Sequence, residues 1–265
     1  MLILFALWPL TAAAQAVEVD LELFLAVDVS RSMSPQELEL QRRGYAEALT
    51  SPQVATALQG GLLGRIAITY VEWAEASAKR VIVPWTLVES PEHAAEIAAT
   101  LTATYDNNLR RTSISGALDY AAAAFEGNGF IGLRRVIDIS GDGPNNQGPP
   151  VLEVRAQVLG KGIVINGLPL MTQDALSEIW GIPDLDVYFE RCVIGGPGSF
   201  MIPVKGWAQF PAAVRRKLVL EIAGLPPVPR TAPGPKVIRV QQPAPYDCLV
   251  GEKMWLQNRS FFDIP

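Results

Sequence analysis

Small oxygen-bearing side chains stand at regular spacing in three short stretches of this sequence. Asp28, Ser30 and Ser32 alternate in the first, Thr112 lies in a second that reads R-T-S-I-S-G-A-L, and Asp142 lies in S-G-D-G. Together they offer two carboxylates and three hydroxyls, and hard oxygen ligands of this kind favour Mg²⁺, Mn²⁺ or Ca²⁺ over zinc or copper. Because Mg²⁺ takes about six oxygen ligands, at least one position would remain for water or an outside ligand. The stretches therefore predict a divalent-cation site.

An ordinary turn is the alternative interpretation of the first stretch. The pattern D-x-S-x-S could form an Asx or serine turn that caps the helix expected to begin at Pro35. The presence of Thr112 and Asp142 in suitable places elsewhere in the chain favours the metal site, because a helix cap needs neither of them.

Strand-like and helix-like stretches alternate through the part of the chain that carries these side chains. Such alternation is typical of βαβ crossovers, and it predicts a doubly wound, mostly parallel α/β sheet with helices on both faces and one antiparallel edge strand. Ligands bind such a sheet at the carboxyl edge of its strands, where Asp28 and Asp142 would lie. We predict strands over residues 21–27, 65–71, 80–85, 135–140, 162–168 and 199–204, and helices over 35–49, 91–104, 113–125, 150–159, 184–191 and 207–222.

The overall composition excludes several classes of protein. The chain has 265 residues, of which 49% are hydrophobic and 18% charged, so it is not a disordered protein. A net charge of −5 without a run of Lys or Arg argues against nucleic-acid binding. The single histidine, His93, and only two cysteines argue against a histidine-rich zinc site and a C-x-x-C redox motif.

Both ends of the chain differ from the alternating region. Thirteen of the first sixteen residues are apolar and none is charged, and the stretch ends in Ala-Gln-Ala. This pattern predicts a secretory signal peptide cleaved after Ala16, with a transmembrane anchor as the alternative. The mature chain, without a further candidate span, is then expected in the periplasm or outside the cell. Residues 224–265 hold eight of the 21 prolines and predict an irregular tail packed on a domain of residues 17–223.

Export bears on the two cysteines, Cys192 and Cys248. Two thiols in an oxidising compartment more often pair than stay free, so we predict a disulfide between them. Two unrelated buried thiols are the alternative. The bond would tie the proline-rich tail to the domain.

The three oxygen-rich stretches occur in this order within an alternating pattern of strands and helices. In this they resemble the metal-ion-dependent adhesion site (MIDAS) of von Willebrand factor type A (VWA) domains, which share their fold with integrin I domains. The resemblance covers residues 20 to 223, and no position of the motif is missing. Three further strings resemble a bacterial exported family labelled as a domain of unknown function, DUF1194: Y-V-E-W-A (70–74), R-R-V-I-D-I-S-G-D-G-P-N-N (134–146) and C-V-I-G-G-P-G (192–198).

The resemblance implies both a ligand set and a function. In VWA domains the serines and often the threonine bind the metal directly, the aspartates often act through water, and a partner protein supplies a carboxylate to the open position. The chain is thus expected to be a binding module that holds Mg²⁺, or Mn²⁺ or Ca²⁺, and not an enzyme. A metal-dependent hydrolase and a constitutive assembly factor of an envelope complex are the alternatives.

Five residues near these motifs also need an interpretation. Asp138 stands where VWA domains commonly have an aliphatic residue, and we expect it either to accept hydrogen bonds from a neighbouring arginine (Arg134 or Arg135) or the backbone, or to support the metal from behind. Glu72 and Trp73 are expected to pack at the core edge, with the rim of the site as the alternative. Asn145 and Asn146 are expected to build the turn after Asp142.

Overall fold

Strands rich in Leu, Ile and Val form a five-stranded sheet at the centre of the protein. The computed structural model describes residues 15–30, 33–103, 111–172, 181–224 and 245–258. The strands are β1 (Val17–Val19), β2 (Leu21–Asp28), β3 (Ile66–Trp73), β4 (Lys79–Val88), β5 (Phe130–Gly132), β6 (Arg135–Gly141) and β7 (Val164–Pro169). Their order in the sheet is β4-β3-β2-β6-β7, and only the edge pair β3–β4 is antiparallel. β1 and β5 form a separate parallel pair.

Helices cover both faces of this sheet. They are α1 (Pro35–Leu49), α2 (Pro52–Gln59), α3 (Pro91–Thr102), α4 (Ile114–Ala124), α5 (Val151–Gly160), α6 (Leu185–Tyr188), α7 (Phe210–Ala223) and α8 (Val250–Asn258). A π-helical turn extends α6 to Val193, and a 3-10 turn leads into α7. The first three helices each begin with a serine cap followed by proline, an arrangement that satisfies free amides and suits the first turn.

The two faces of β2 bury two separate cores. Leu21, Leu23 and Leu25 point to the core formed with α1, α2, α3 and α7, whereas Phe24 and Ala26 point to the core formed with α4, α5 and α6. Side chains alternate along a strand, and the second core holds the same strand's even-numbered residues. β2 is therefore buried on both sides, as a central strand of a doubly wound sheet must be.

The structure confirms the predicted fold, with its mostly parallel sheet and one antiparallel edge strand. The prediction of a strand over residues 199–204 was wrong, because only isolated bridges form there, at Met201 and Val204. Pro203 has no amide hydrogen to donate to a regular ladder. The short helix α2 and the β1–β5 pair were not predicted.

The C-terminal stretch is not irregular throughout. Residues 250–258 form α8, which the absence of proline between Pro245 and Pro265 permits. Residues 1–14, most of the predicted signal peptide, lie outside the described residues, as do Ser32 and residues 225–244 and 259–265 of the predicted tail.

Candidate metal centre

Asp28 lies at the carboxyl edge of the sheet, where several hydrogen bonds hold it. It is the last residue of β2 and is fully buried. Gln41 donates from Nε2 to the Asp28 carbonyl oxygen at 2.9 Å, and the amide of Val29 donates to the carbonyl of Trp73 at 2.9 Å. The carboxylate turns back on its own loop, where Oδ1 accepts from the amide of Ser30 at 2.8 Å. The side chain is thus pinned by an Asx turn above the sheet.

A second acidic side chain, Asp142, lies close to Asp28. Burial raises the pKa of Asp28 well above its ordinary range, and the charge of Asp142 raises it further, while hydrogen bonds from Ser30 and the Asp142 backbone act the other way. Gly141 allows the close approach, since a Cβ atom there would lie 3.1 Å from Oδ2 of Asp28. That oxygen is buried and receives no hydrogen bond of ordinary geometry from the described residues. The structure therefore brings together two nearly buried carboxylates that repel each other.

Thr112 belongs to a loop that is fastened to the loop after Asp142. Its amide donates to Oδ1 of Asn146 at 3.1 Å, and the amide of Asn146 donates back to the carbonyl of Thr112 at 3.0 Å. On the other side, the amide of Ser113 donates to the carbonyl of Ala74 at 2.8 Å. Thr112 is only 6% exposed. The threonine is thus held between the β3–β4 turn and the Asp142 loop.

Asn145 makes a second cross-link between the same two loops. Its Oδ1 accepts from the amide of Ser115 at 3.0 Å and lies 3.2 Å from the Ser115 hydroxyl, while its Nδ2 donates to Oε1 of Glu252 at 2.8 Å. Its own amide donates to the hydroxyl of Tyr188 at 3.1 Å. The interpretation of Asn145 and Asn146 as simple turn builders was therefore too narrow, since both asparagines join separate elements. Their signal in the sequence was two adjacent amides directly after a glycine-rich turn.

Gln41 is a further residue that the sequence interpretation missed. It is 1% exposed and lies on the inner face of α1, between the buried side chains of Leu38 and Tyr45 at helical spacing. A polar side chain on the apolar face of a helix indicates a buried partner, which here is the carbonyl of Asp28. That pattern was visible in the sequence, although the partner was not.

The donors that surround this edge suit a hard divalent cation. Asp28, Ser30, Thr112 and Asp142 are all nearly buried and lie in the three loops as predicted from the sequence, while Ser32 lies outside the described residues. Within the described ranges no group of three or more His, Cys, Asp or Glu side chains is arranged so that it could hold a metal ion, so a metal here would rely on hydroxyls beside two carboxylates. This donor chemistry is typical of magnesium, manganese and calcium sites.

Glu72 lies beside the candidate centre but faces the other core. It is fully buried and is bridged by two arginines, Arg42 at 2.6 Å and Arg80, whose Nε donates at 3.0 Å. Trp73, next in the chain, points to the opposite face, where its ring packs near Gly141. Glu72 is therefore part of a buried ion network with Arg42 and Arg80, and Trp73 packs on the opposite face of the sheet, close to Asp28.

Asp138 has a partner that the sequence did not suggest. It forms a fully buried ion pair with Lys217 of α7 at 2.8 Å, and Lys217 also bonds Glu221 at 2.5 Å. The expected pairing with Arg134 or Arg135 was wrong, since the Arg134 guanidinium donates to main-chain carbonyls at the end of α7. Asp138 faces the α1 and α7 side of the sheet, so it does not stand behind the metal loops.

The predicted disulfide between Cys192 and Cys248 is present. It joins the π-helical turn after α6 to the segment that leads into α8, across a sequence separation of 56. Both cysteines are buried, at 0% and 8% exposure. The bond therefore anchors residues 245–258 to the domain.

Comparison with known proteins identifies the family to which the chain belongs. The family model described as "Protein of unknown function (DUF1194)" matches residues 18–226. No curated protein matches the chain.

Several solved structures are similar to this one. Proximal thread matrix protein 1 from the mussel byssus, with a zinc-occupied MIDAS motif, has a TM-score of 0.53 and 15% identity over 79% of this chain and 49% of its own. The pilus adhesin SpaC of Lactobacillus rhamnosus GG has a TM-score of 0.55 and 13% identity over 78% and 30%. A von Willebrand factor type A protein of Catenulispora acidiphila has a TM-score of 0.50 and 14% identity over 79% and 43%. This chain thus spans half or less of each, and the likeness shows a shared fold.

Proposed function

Since this chain belongs to the DUF1194 family and has the fold of VWA domains, we propose that it is an exported binding module that grips an acidic protein partner through a divalent cation. Asp28, Ser30, Ser32, Thr112 and Asp142 would hold the cation, with Mg²⁺ as the first candidate and Mn²⁺ or Ca²⁺ as the others. The bound ion would supply the positive charge to which a carboxylate of the partner is drawn.

The pair of buried carboxylates is the observation that carries this proposal. Asp28 and Asp142 are 0% and 6% exposed, and both burial and the charge of Asp142 raise the pKa of Asp28. Two charges of one sign are stable in such a place only if a proton or a cation compensates them. A divalent ion compensates both at once and also satisfies the buried Oδ2 of Asp28.

The hydroxyl-rich ligand set supports a partner that brings its own carboxylate. Three of the five proposed ligands are neutral, so the ion keeps much of its attraction for a further anionic oxygen. At least one coordination position stays open on an ion that takes about six ligands. The similar structures include a pilus adhesin and a byssus protein with a metal-loaded MIDAS, and adhesion is consistent with such an open position.

Two observations bear on location. A disulfide within the chain favours an oxidising compartment, such as the periplasm or the cell exterior. Within the described residues no helix is both long enough and apolar enough to cross a membrane.

A hydrolase is the less favoured candidate. The chain's one histidine, His93, follows β4. The last residue of β4, Val88, pairs with Ile66 at the start of β3, whereas Asp28 pairs with Trp73 at the end of β3. His93 therefore follows a strand end at the opposite edge of the sheet from Asp28. A strand of eight residues separates the two edges by roughly 20 Å. The two carboxylates of the candidate centre, Asp28 and Asp142, are proposed metal ligands, so neither would be free to act as a separate general base for a metal-bound water.

Calorimetry with the purified mature protein tests metal binding. Mg²⁺, Mn²⁺, Ca²⁺ and Zn²⁺ are titrated into the wild type and into Asp28→Asn, with Asp119→Asn, an exposed acid on α4, as the matched control. We expect one site in the wild type and the control and none in Asp28→Asn, while circular dichroism shows that all three are folded. Equal metal binding by Asp28→Asn would overturn the proposal.

Capture of a partner tests the acidic ligand. The wild type, Thr112→Ala and Thr112→Ser serve as bait for periplasmic protein in Mg²⁺ and in EDTA, and each captured partner is then purified and titrated. Thr112→Ala should weaken partner binding more than metal binding, whereas Thr112→Ser keeps the hydroxyl and should restore both. Removal of the partner's acidic residues should abolish binding. A partner that binds equally in EDTA and to Thr112→Ala would contact another surface, and the proposal would fail.

A further inference from the structure

Helix α8 is attached to the domain beside the candidate metal centre by several separate contacts. The disulfide holds its leading segment, and the hydroxyl of Tyr246 donates to Oδ2 of Asp184 at 3.0 Å. Further along, the guanidinium of Arg111 lies 4.7 Å from the centre of the Trp255 ring, a cation–π contact next to Thr112. The helix therefore touches the threonine loop at one end and is covalently anchored at the other.

Asn145 connects α8 to both loops of the candidate centre. The oxygen of its side-chain amide accepts from the backbone amide of Ser115, in the first turn of α4, at 3.0 Å. The nitrogen of the same group donates to the carboxylate of Glu252, in the first turn of α8, at 2.8 Å. Asn145 is fully buried and follows Asp142 by three residues. A shift of Glu252 would therefore displace Asn145, and with it both the loop that carries Asp142 and the start of the helix that follows Thr112.

Gly251 shows how closely α8 is docked. A Cβ atom at this position would lie 2.1 Å from the carbonyl oxygen of Asn145 and 2.9 Å from its carbonyl carbon. Because real Cβ atoms do not approach backbone that closely, any other residue would push the helix away from the loop. The backbone of α8 thus rests directly on the backbone of the Asp142 loop.

We propose that α8 is a positioning element of the metal centre, in which Glu252 and Gly251 hold Asn145 so that the Thr112 and Asp142 loops keep the spacing that a cation needs. The inference rests on the proposed metal site and assigns to that site a supporting helix outside its own loops. The disulfide keeps α8 close to the domain even when its other contacts are lost. Loss of those contacts should therefore weaken metal binding without unfolding the sheet.

The test uses four single substitutions on α8 in the full mature chain. Gly251→Ala adds the clash yet raises intrinsic helix propensity, so a weaker site cannot be ascribed to a weaker helix. Glu252→Ala removes the acceptor for Asn145, whereas Glu252→Gln keeps an oxygen there. Lys253→Ala is the control, because Lys253 is exposed and pairs only with exposed Asp247 among the contacts seen.

The first measurement is calorimetric titration with Mn²⁺. Loss of one buried hydrogen bond or contact of this kind is worth about a five- to tenfold change in an equilibrium constant. We expect Gly251→Ala and Glu252→Ala to weaken Mn²⁺ binding by about that factor, and Glu252→Gln and Lys253→Ala to stay within about twofold of the wild type. Wild-type affinity in both Gly251→Ala and Glu252→Ala would overturn the inference.

The second measurement is amide hydrogen exchange without metal. The amide of Ser115 should exchange faster in Glu252→Ala than in the wild type, because Asn145 is its acceptor, while amides in the middle of β2 stay protected. Unchanged exchange at Ser115 would also overturn the inference. If the wild type itself binds no Mn²⁺, the proposed function fails; if the wild type binds and the variants match it, only the role of α8 fails.

Discussion

Thr112 and Asn146 are joined by two reciprocal hydrogen bonds, one from the Thr112 amide to the Asn146 side chain at 3.1 Å and one from the Asn146 amide to the Thr112 carbonyl at 3.0 Å. The two residues are 34 positions apart in the chain. The bonds fix the threonine loop relative to the loop of Asp142. A metal ligand that is held in place before the metal arrives loses less conformational entropy on binding.

The Asn146 side chain should therefore contribute to metal affinity. Asn146→Ala removes the acceptor for the Thr112 amide but leaves every proposed ligand in the chain. We expect metal binding weaker by about two- to tenfold and the free energy of unfolding lower by about 1 kcal/mol. Calorimetry and urea denaturation check the two values. Unaltered metal affinity would mean that the remaining contacts of the threonine loop, including the bond from the Asn146 amide to the Thr112 carbonyl, hold it adequately.

Glu72 should be much more important for stability than an exposed acid. Glu72→Ala removes the carboxylate that neutralises buried Arg42, whose side chain is 4% exposed, and breaking such a buried pair costs about 3 to 5 kcal/mol. Glu39→Ala breaks the exposed pair with Arg43 and should cost less than about 1 kcal/mol. Urea denaturation of both variants gives the comparison. Equal losses would show that the Arg42–Glu72 pair is replaceable.

Asp138 should make stability depend on pH. Burial, and then the charge of Glu221, raise its pKa from 3.8 to about 7, although Lys217 acts in the opposite direction. Between those values the folded state holds a proton that the unfolded state has lost, so the free energy of unfolding should fall as pH rises from about 4 to about 7.

Asp138→Asn isolates this effect from other titrating groups. The variant cannot titrate at this position, so its loss of stability between pH 4.5 and pH 7 should be smaller than that of the wild type by about 1 kcal/mol per pH unit. Glu153→Gln, an exposed acid on α5, serves as the control and should follow the wild type. Denaturant midpoints at four pH values give the slopes. Parallel slopes for the wild type and Asp138→Asn would contradict the assignment.

The disulfide should be complete in protein recovered from an oxidising compartment. Thiol labelling of denatured, unreduced protein should find no free cysteine. The bond closes a loop with a sequence separation of 56 residues, for which the chain-entropy model gives about 4 kcal/mol of stabilisation. A Cys192→Ala/Cys248→Ala variant should therefore unfold at a clearly lower urea concentration. Quantitative labelling of both cysteines in the wild type would contradict the bond and weaken the case for export.

The sequence by itself determined the fold class and where the proposed oxygen ligands would lie. A motif such as Asp28-x-Ser30 is confined to one turn, and the strand that precedes it is recognisable from its own apolar run. In a parallel sheet the carboxyl ends of strands share an edge, so two local patterns predicted that Asp28 and Asp142 would meet. The disulfide was equally accessible, because the chain has two cysteines and they allow one pairing.

Only the tertiary structure decided which residues hold those ligands and which charges pair inside. Arg134 and Arg135 are close to Asp138 in the chain, but residues three or four apart in a strand are about 10 to 13 Å apart. Lys217 reaches Asp138 across the sheet face because α7 packs there. Likewise Asn145 meets Glu252, 107 residues away. Such partners depend on how whole elements pack against one another, and many polar side chains in the chain were equally suitable until that packing was known.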